Sequence, residues 1–415
     1  RYQSLSRGLG DVYKRQYRLM LLMAIAVVLS FNAYPQTRII FDTDIGGDAD
    51  DLGALAMLNH FMERQECKLE AVMCWSTELY AVSAIDAVNR YYGHPEIPVG
   101  ARKDSVAYIP WNYNKVIADR YPHVLNHNNV PDAVELYREI LADSPDNNLV
   151  IVTVGPLKNI ENLLMSEGDT KSPLSGKELV GQKVKEFVIM GGNFPEGKWE
   201  WNFAGGMPGV TKNVLDNLEV PLTFTGFELG VQIKTGQVFN SMDPDTPLYI
   251  GFKHFSKNAH WMKANFEVDI LDNSTFDQTA VLYAVRNGTG TYWQKISGGV
   301  CVPDEQGGNT WEKKYDSKHS YLRLTADPEE LAVRIEEMML GDFISQKQVL
   351  WSRTDNTYNN FRIPALIVTQ IGTVLAFAEG REGGDAGDID ILVKRSDDGG
   401  RSWSPQAVVW DDGAN

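Results

Sequence analysis

The sequence predicts an α/β fold with an open, mostly parallel sheet and flanking helices, followed by a short all-β segment. From residue 37 to residue 341, short apolar runs alternate with amphipathic stretches, which is typical of strands joined by helices. The candidate strands are nearly continuous in apolar residues, as expected of strands that are covered on both faces. They lie at residues 38–41, 69–74, 149–154, 184–190 and 220–224.

Amphipathic stretches between these strands predict the helices. They lie at residues 51–62, 81–92, 132–141, 157–165 and 211–218. A last helix has clear signals at its start, with Asp327 as N-cap, Pro328 at the first helical position and Glu330 placed for a capping box. We expect this helix to end near Gly341.

The length and the change of pattern after Gly341 indicate the domain organisation. A chain of 415 residues favours two domains, or one large domain with a partial one. Helical periodicity ends after Gly341, and closely spaced turn signals predict short strands from there onward. We therefore expect an α/β domain at residues 36–341, a linker at 342–348 and an all-β unit at 349–415.

The first residues resemble a targeting segment. Basic residues precede an apolar run at 19–31, which is short for a membrane span and typical of a signal-peptide core. This predicts a signal peptide at 17–33, with Ala33 before the cleavage site; a buried N-terminal helix is the alternative. Residues 1–16 fit neither interpretation, and we treat them as non-native. The expected location is secreted or periplasmic, in a bacterial envelope, with no stable membrane insertion after cleavage.

The net charge and the cysteine content exclude several classes of binding partner. A net charge of −16 and a pI near 4.9 argue against nucleic acid or an anionic membrane surface, since both repel a protein without a basic patch. The three cysteines, Cys67, Cys74 and Cys301, lack the paired spacing of a zinc site or a redox dithiol. We therefore expect a small-molecule substrate, and stability that comes from packing rather than from disulfides.

The motif FDTDIGGDADDLGALAML concentrates carboxylates between a predicted strand and a predicted helix. They are Asp42, Asp44, Asp48, Asp50 and Asp51. Two unit charges ~4 Å apart repel by about 4 kcal/mol at an effective dielectric of about 20, so such a cluster favours a bound cation. Ligands gather at the carboxyl ends of strands in open α/β sheets, and carboxylate oxygens favour Ca²⁺ or Mg²⁺. The alternative is an Asp-rich turn that caps the following helix.

DTDIGGDADD resembles the N-terminal aspartate motif of the inosine/uridine-preferring nucleoside hydrolase family, in a longer-loop form. Further segments agree in order and spacing: VTVGPLKNI at 152–160, VIMGGN at 188–193, EWN at 200–202 and FDQTAVLYA at 276–284. The resemblance covers roughly residues 37–341. It implies calcium-dependent hydrolysis of the N-glycosidic bond of ribonucleosides or related ribosides, through an oxocarbenium-like transition state.

The resemblance also implies a metal site. Asp44 corresponds to a calcium ligand that is also the base activating water, and Asp51 and Asp277 correspond to further ligands. The main-chain carbonyl of Val154 corresponds to a fourth ligand, which explains why an apolar residue can stand there. The loop after Asp44 is longer than in the best-known members, so Asp48 is an alternative to either member of the Asp pair that follows it.

On the substrate side, the resemblance implies that Asp50 faces the ribose hydroxyls and that Asp42 supports the loop. Glu200 and Asn202 match positions that bind sugar hydroxyls; two polar residues in an aromatic-rich loop are the alternative interpretation. Ser76 stands where the family has an asparagine after the second strand. The identity of the leaving group therefore stays open.

The leaving-group side departs from the family pattern. In many members a histidine directly precedes the last metal-binding aspartate and protonates the departing base; here that residue is Phe276. We expect His60, His254 and His260 to face solvent on helices. Leaving-group activation then needs another group, stacking, or an already good leaving group. Three tryptophans near the predicted pocket are candidates for stacking or for packing: Trp75, Trp199 and Trp201.

The last residues resemble the opening blade of a bacterial sialidase. The resemblance implies that Arg362 of the FRIP motif and Arg381 bind a sialic acid carboxylate, since a guanidinium fork suits that group, and that Asp385 is an acid/base. Ser396, Asp398, Gly400 and Trp403 form a structural turn called an Asp-box in that family. A propeller needs several blades, so we expect a truncated fragment of a β-propeller without sialidase activity.

Two other functions stay open on these residues. One is a non-catalytic, calcium-stabilised sugar-binding module, in which Phe276 reflects lost turnover. The other is a parent protein that is chiefly an exo-sialidase. The resemblance also leaves open a homo-oligomer, since nucleoside hydrolases are often dimers or tetramers.

Overall fold

The structure is a computed structural model, and it describes most of the chain after the first residues. The described residues are 36–104, 107–109, 111–262, 268–341, 349–352, 358–369, 373–383, 388–397, 400 and 403–411. The predicted leader and signal peptide, the predicted linker, Asp385 and Asp398 lie outside the described residues. Within the described parts, no helix combines the length and apolar character that a membrane crossing requires.

Seventeen strands are present in the described residues. In chain order they are β1 (Thr37–Thr43), β2 (Cys67–Cys74), β3 (Val99–Ala101), β4 (Leu149–Thr153), β5 (Val184–Met190), β6 (Glu196–Gly197), β7 (Leu222–Thr225), β8 (Lys234–Thr235), β9 (Asn273–Ser274), β10 (Trp293–Ile296), β11 (Gly299–Pro303), β12 (Asn309–Lys313), β13 (His319–Leu324), β14 (Asn360–Val368), β15 (Val374–Arg381), β16 (Ile389–Ser396) and β17 (Ala407–Trp410).

The helices lie mostly between the strands of the first part of the chain. They are α1 (Asp50–Glu63), α2 (Ala81–Tyr91), α3 (Asn114–Arg120), α4 (Ala133–Asp143), α5 (Lys158–Leu164), α6 (Gly176–Lys183), α7 (Trp201–Ala204), α8 (Val210–Asn217), α9 (Phe227–Gly230), α10 (Pro247–Asn258), α11 (Asp277–Arg286) and α12 (Pro328–Leu340), with a 3₁₀ helix at Gln237–Ser241.

The central sheet is largely parallel, as predicted. Among the described residues it has eight strands in the order β10-β13-β7-β5-β4-β1-β2-β3. Every neighbouring pair is parallel except the edge pair of β10 and β13, which is antiparallel. The carboxyl ends of the seven parallel strands therefore lie along one edge, where open α/β sheets bind their ligands.

Apolar side chains cover both faces of the sheet. On β1, Ile39 and Phe41 belong to one buried cluster and Ile40 to the other, because successive side chains point to opposite faces. This accounts for the nearly continuous apolar composition of the central strands. The three cysteines are buried and free.

The predicted elements are present with ends that differ by a few residues. Strand β3 was not predicted, because three residues carry too little periodicity to be recognised. The last helix begins and ends where its signals indicate. The Asp327 carboxylate accepts hydrogen bonds from the backbone N–H groups of Glu329 and Glu330, both 3.0 Å, and Gly341 follows the helix with a left-handed φ of 68°.

The all-β character predicted after Gly341 is also present. Strands β14 to β17 form a separate antiparallel sheet in chain order. A further antiparallel sheet of β11, β12 and β6 lies within the first part of the chain, as does the β8–β9 pair.

Candidate active site

The loop between β1 and α1 lies at the carboxyl edge of the central sheet. Two consecutive residues at the start of α3 hold it: the Tyr113 hydroxyl accepts a bond from the backbone N–H of Gly46 at 3.1 Å, and the Asn114 amide donates to the Ile45 carbonyl at 3.0 Å. Gly46 has a φ of 118°, and a Cβ there would lie 2.1 Å from the Asn112 side chain. The glycine is therefore required both by its backbone conformation and by the close approach of Asn112.

Three buried carboxylates meet beside this loop. Asp50, Asp51 and Asp277 are 4%, 2% and 3% exposed, and each offers an oxygen within 4.8 Å of those of the other two. Close packing of α11 on α1 brings Asp277 to the pair, since a Cβ on Gly53 of α1 would lie 2.5 Å from the Gln278 side chain. The backbone N–H of Asp277 also donates to Asp50 at 3.4 Å.

Burial and mutual repulsion make the ionised form of this trio costly. Burial is the largest cause that raises the pKa values of Asp50, Asp51 and Asp277 well above the usual range, and the neighbouring carboxylates raise them further. The Thr43 hydroxyl, which donates to Asp51, opposes this only in part. Such a cluster needs protons or a cation to be stable when buried.

Asp44 lies next to the trio at the mouth of the site. Trp201 donates from its indole Nε1 to Asp44 Oδ2 at 3.0 Å, and burial raises the Asp44 pKa to about 6. Gly155, in the loop after β4, allows Asp44 to approach: a Cβ at that position would lie 2.9 Å from the Asp44 Cβ, backbone N and Oδ1. The close approach of Asp44 therefore explains why a glycine stands at position 155. The sequence motif alone did not reveal this reason.

Asp42 lies beneath Asp44, within β1. Its carboxylate accepts bonds from the Tyr137 hydroxyl at 2.8 Å and from the Asn159 amide at 3.1 Å. Burial raises its pKa to about 7. Its main-chain carbonyl accepts the backbone N–H of Val154 at 2.8 Å, so Asp42 links the ends of β1 and β4.

Asp48 occupies a different position from the Asp pair that follows it. Its Oδ1 accepts the backbone N–H of Ala49 at 2.6 Å and a bond from the Asn273 amide, and its carbonyl accepts the Tyr113 hydroxyl at 2.9 Å. The trio of close carboxylates thus contains Asp50 and not Asp48.

Glu200 and Asn202 adjoin the site through α7. The Glu200 carboxylate caps this helix, since it accepts the backbone N–H groups of Asn202 and Phe203 at 2.9 and 3.0 Å, and it also accepts Gly192 N at 2.9 Å. Burial raises the Glu200 pKa to about 7. The Asn202 amide donates to the Val154 carbonyl at 2.9 Å, which leaves that oxygen one lone pair for another partner.

The remaining residues that the sequence singled out are Ser76, two tryptophans and Phe276. Ser76 is buried and its hydroxyl accepts the backbone N–H of Glu78 at 3.3 Å. The Arg102 guanidinium lies 4.3 Å from the Trp75 ring centroid, so Trp75 is a packing partner here. Trp199 is 60% exposed. Phe276 stacks on Phe227, with ring centroids 5.2 Å apart and an interplanar angle of 26°.

Several buried polar atoms near this edge have no hydrogen-bond partner among the described residues. They include Thr153 Oγ1, Thr225 Oγ1, Asn202 Oδ1, Asn114 Oδ1 and Asn112 Nδ2. Thr153 and Thr225 end β4 and β7, and the three asparagines adjoin Val154 or Gly46. Buried polar groups without partners are rare in folded proteins and point to a ligand or water. The edge is therefore equipped for a polar ligand.

Some residues of the site were not predicted from the sequence. Tyr113, Asn114 and Asn273 contact the loop between β1 and α1 from other elements, and Asn159 contacts Asp42 at the end of β1. Each is a common polar residue in an ordinary loop, helix or short strand. Only the tertiary contact distinguishes them.

The residues assigned by the sialidase resemblance lie on the C-terminal sheet. Arg381 is 8% exposed and donates from Nε to Glu379 at 2.9 Å, so an internal carboxylate already engages its guanidinium. Arg362 is exposed and stands opposite Glu379 in the β14–β15 register. In the turn after β16, Gly400 N donates to Ser396 Oγ at 2.8 Å and Trp403 Nε1 donates to the Gly400 carbonyl at 2.9 Å.

Comparison with known proteins gives a family for the first part of the chain. Residues 39–360 match the family described as inosine-uridine preferring nucleoside hydrolase. Similar solved structures include a plant nucleoside hydrolase, PpNRh1, at 15% identity over 74% of this chain and 99% of that chain, with a TM-score of 0.52. The nucleoside hydrolase of Bacillus anthracis shares 14% identity over 74% and 98%, with a TM-score of 0.50.

A third similar structure is the type III effector protein XopQ, solved in complex with adenosine diphosphate ribose. It shares 14% identity over 74% of this chain and 93% of that chain, with a TM-score of 0.51. At such identities these likenesses establish the fold. The fold is thus that of the nucleoside hydrolases.

The C-terminal segment matches curated sialidases. The sialidase of Micromonospora viridifaciens is 54% identical over 54 residues, which are 12% of this chain and 8% of that protein. The sialidase of Paraclostridium sordellii is 39% identical over 71 residues, 16% of this chain and 18% of that protein. The chain thus spans less than a fifth of either sialidase, and these matches support a sialidase-like fragment.

Proposed function

The chain belongs to the inosine-uridine preferring nucleoside hydrolase family, and on that premise we propose that it hydrolyses the N-glycosidic bond of ribosides at the carboxylate edge, in a calcium-dependent reaction. One observation carries the proposal. Asp50, Asp51 and Asp277 are buried with oxygens within 4.8 Å of one another, beside Asp44. Structural capping does not explain such a trio, because one aspartate suffices for a helix start.

The donor set fits a hard cation. The available groups are carboxylates and main-chain carbonyls, which are the ligands that Ca²⁺ prefers, and Ca²⁺ tolerates irregular geometry better than Mg²⁺ does. We assign Asp44, Asp51, Asp277 and the Val154 carbonyl to the ion. Asp50 lies within the trio and Asp48 beside it, and both stay candidates for the metal or for the ribose hydroxyls.

When bound, calcium would supply a Lewis acid that lowers the pKa of a water and orients vicinal hydroxyls. Asp44 then takes the proton of the attacking water, and the Trp201 indole holds its carboxylate in one orientation. Water adds to C1′ of the ribose as the bond to the leaving nitrogen breaks through an oxocarbenium-like transition state.

Neighbouring side chains fix these groups. Thr43 orients Asp51, and Tyr137 and Asn159 hold Asp42 beneath the loop. Glu200 caps α7 and thereby positions Asn202, whose unpartnered Oδ1 is available to a sugar hydroxyl. An acceptor at this position would suit the sugar-binding role that the resemblance implies for Asn202. For Glu200 three backbone donors leave about one lone pair free.

The experiment that tests the proposal uses the full chain and p-nitrophenyl β-D-ribofuranoside, a substrate whose leaving group needs no protonation. Hydrolysis of this riboside is measured. We expect turnover that chelation abolishes and added calcium restores. A chain that binds calcium but turns over no riboside is the sugar-binding module instead, and this result would overturn the proposal.

A secreted or periplasmic location stays a prediction, to be tested by fractionating cells that express the gene.

A further inference from the structure

A buried carboxylate outside the trio lies in the loop that follows β2. Glu78 is 1% exposed, and the proposed reaction assigns it no role. Its Oε2 accepts the Asn114 amide Nδ2 at 3.1 Å and the backbone N–H of Tyr80 at 2.9 Å. Its Oε1 is buried and has no hydrogen-bond partner among the described residues. A carboxylate buried in this way costs stability, so its presence calls for an explanation.

Asn114 connects Glu78 to the loop between β1 and α1. The Nδ2 that donates to Glu78 also donates to the Ile45 carbonyl at 3.0 Å, and Ile45 directly follows Asp44. The amide NH₂ group has two hydrogens, one for each of these acceptors. The opposite orientation of the amide would turn its oxygen toward a carbonyl and a carboxylate, both of which repel it. Glu78 therefore selects the orientation in which Asn114 holds Ile45.

The position of Asn114 is fixed by its own surroundings. This residue is 0% exposed, and its backbone N–H donates to Asn112 Oδ1 at 2.7 Å. A Cβ on Gly46 would lie 2.3 Å from Asn114 Nδ2 and 2.1 Å from Asn112 Nδ2, so both amides pack against the loop. Asn114 thus has a fixed place beside the loop, and its bond to Glu78 gives the amide a fixed orientation there.

The segment that carries Glu78 is bonded to its neighbours on both sides. The backbone N–H of Glu78 donates to the hydroxyl of Ser76 at 3.3 Å. The backbone N–H of Leu79 donates to the Ala107 carbonyl at 2.9 Å, and the backbone N–H of Ala107 donates to the Thr77 carbonyl at 2.6 Å. The loops that follow β1, β2 and β3 are therefore linked to one another around this carboxylate.

Resting on the proposed calcium-dependent hydrolysis, we propose that Glu78 is a positioning residue: it orients Asn114, which holds the loop of residues 44–49 in the conformation that binds the ion. The consequence is a shift of populations. If the loop keeps its binding conformation for only a fraction of the time, the apparent Kd for calcium rises by the inverse of that fraction. Calcium binding should therefore weaken when Glu78 loses its acceptor oxygens.

The test compares variants of similar size by calorimetric titration of the full chain with calcium alone. Glu78→Met removes both acceptor oxygens and is expected to raise the Kd about tenfold, as for a loop that is competent about a tenth of the time. Glu78→Gln keeps an acceptor oxygen for Asn114 and Tyr80 and is expected to stay within about threefold of the unchanged chain. Asn114→Leu should weaken binding as Glu78→Met does. The double variant should be no more than about threefold weaker than either single variant, because both remove the same contact.

Hydrogen exchange of the calcium-free chain gives a second readout that needs neither the ion nor a substrate. The amides of residues 44–49 are expected to exchange about tenfold faster in Glu78→Met than in the unchanged chain, and Glu78→Gln is expected to restore slow exchange. Asn89→Leu is the matched control. Asn89 is also a buried asparagine, 1% exposed, and its Oδ1 accepts the Asn59 amide of α1 at 3.0 Å. This control should lower the Tm and leave calcium binding and the exchange of residues 44–49 within about twofold.

The outcomes separate this inference from the proposed function. A folded Glu78→Met with an unchanged calcium affinity, or with unchanged exchange of residues 44–49, would overturn the inference. An Asn89→Leu variant that weakens calcium binding as strongly as Asn114→Leu would do the same, because the effects would then reflect stability in general. If Glu78→Met does not fold, Asn114→Leu carries both measurements. Faster exchange in a chain that binds no calcium would support the hold on the loop and overturn the proposed metal site instead.

Discussion

A turnover number about 10³-fold below that of the unchanged chain is the expected result of replacing Asp44 by asparagine. A general base contributes roughly 10²–10⁴ in rate, and Asp44 is also assigned to the metal. Asparagine keeps an acceptor oxygen for the Trp201 indole, which donates to Asp44 at 3.0 Å. The variant should therefore fold and still lose the base. Initial rates on p-nitrophenyl ribofuranoside measure the effect.

The matched control is Asp316→Asn. Asp316 is exposed in the turn between β12 and β13, and β13 begins at the edge of the sheet opposite to the site. Its rate should stay within twofold of the unchanged chain. An Asp44→Asn variant with the same Tm and a rate within tenfold of the unchanged chain would contradict the assignment of the base.

Chelation is expected to lower the Tm, and more strongly at pH 8 than at pH 5. Burial raises the pKa values of Asp50, Asp51 and Asp277, so these groups ionise at a lower pH in the unfolded chain than in the folded one, and stability falls as the pH rises from their usual range toward the raised values. Calcium offsets the cost of the ionised form and competes with protons for the same oxygens. The chelated protein should therefore lose most stability at high pH.

The size of this effect follows from mass action. Calcium at 100 to 1,000 times its Kd stabilises by about 2.7–4.1 kcal/mol, which corresponds to roughly 4–7 °C in Tm for a domain of about 300 residues. Scanning calorimetry with EDTA and with excess calcium at both pH values measures it. Magnesium in place of calcium is the control for ionic strength. Equal shifts at both pH values would contradict the linkage of the carboxylates to the metal.

The parallel sheet and its carboxylate edge were predictable from local sequence. Nearly continuous apolar strands predicted the fold class, because such strands are covered on both faces. Strand β1 shows this, since it buries Ile39 and Ile40 against opposite clusters. The dense aspartates were recognisable for a similar reason: a single loop carries most of them, and charge repulsion demands an explanation. Asp277 was identified only through its family resemblance, since nothing local distinguishes an aspartate at a helix start.

The support of the site was not predictable. Asn273 reaches Asp48 across 225 residues of sequence separation, and Tyr113 holds the loop from another element. Such contacts depend on how helices pack over the sheet, and polar side chains carry no period that reveals them. The capping role of Glu200 was not predictable either. Its sequence position suggested a residue that binds sugar hydroxyls, and the structure shows that its carboxylate also accepts three backbone N–H groups, two of them from α7.

The most direct test of the central claim is a calcium titration by calorimetry on the full chain and on Asp277→Asn. The claim is that buried carboxylates from the two ends of the α/β part form one calcium site. We expect one binding event in the unchanged chain that weakens at least 100-fold in the variant, a loss of about 2.7 kcal/mol, while the fold is retained. No calcium binding, or binding that the Asp277 substitution leaves unchanged, would contradict the claim.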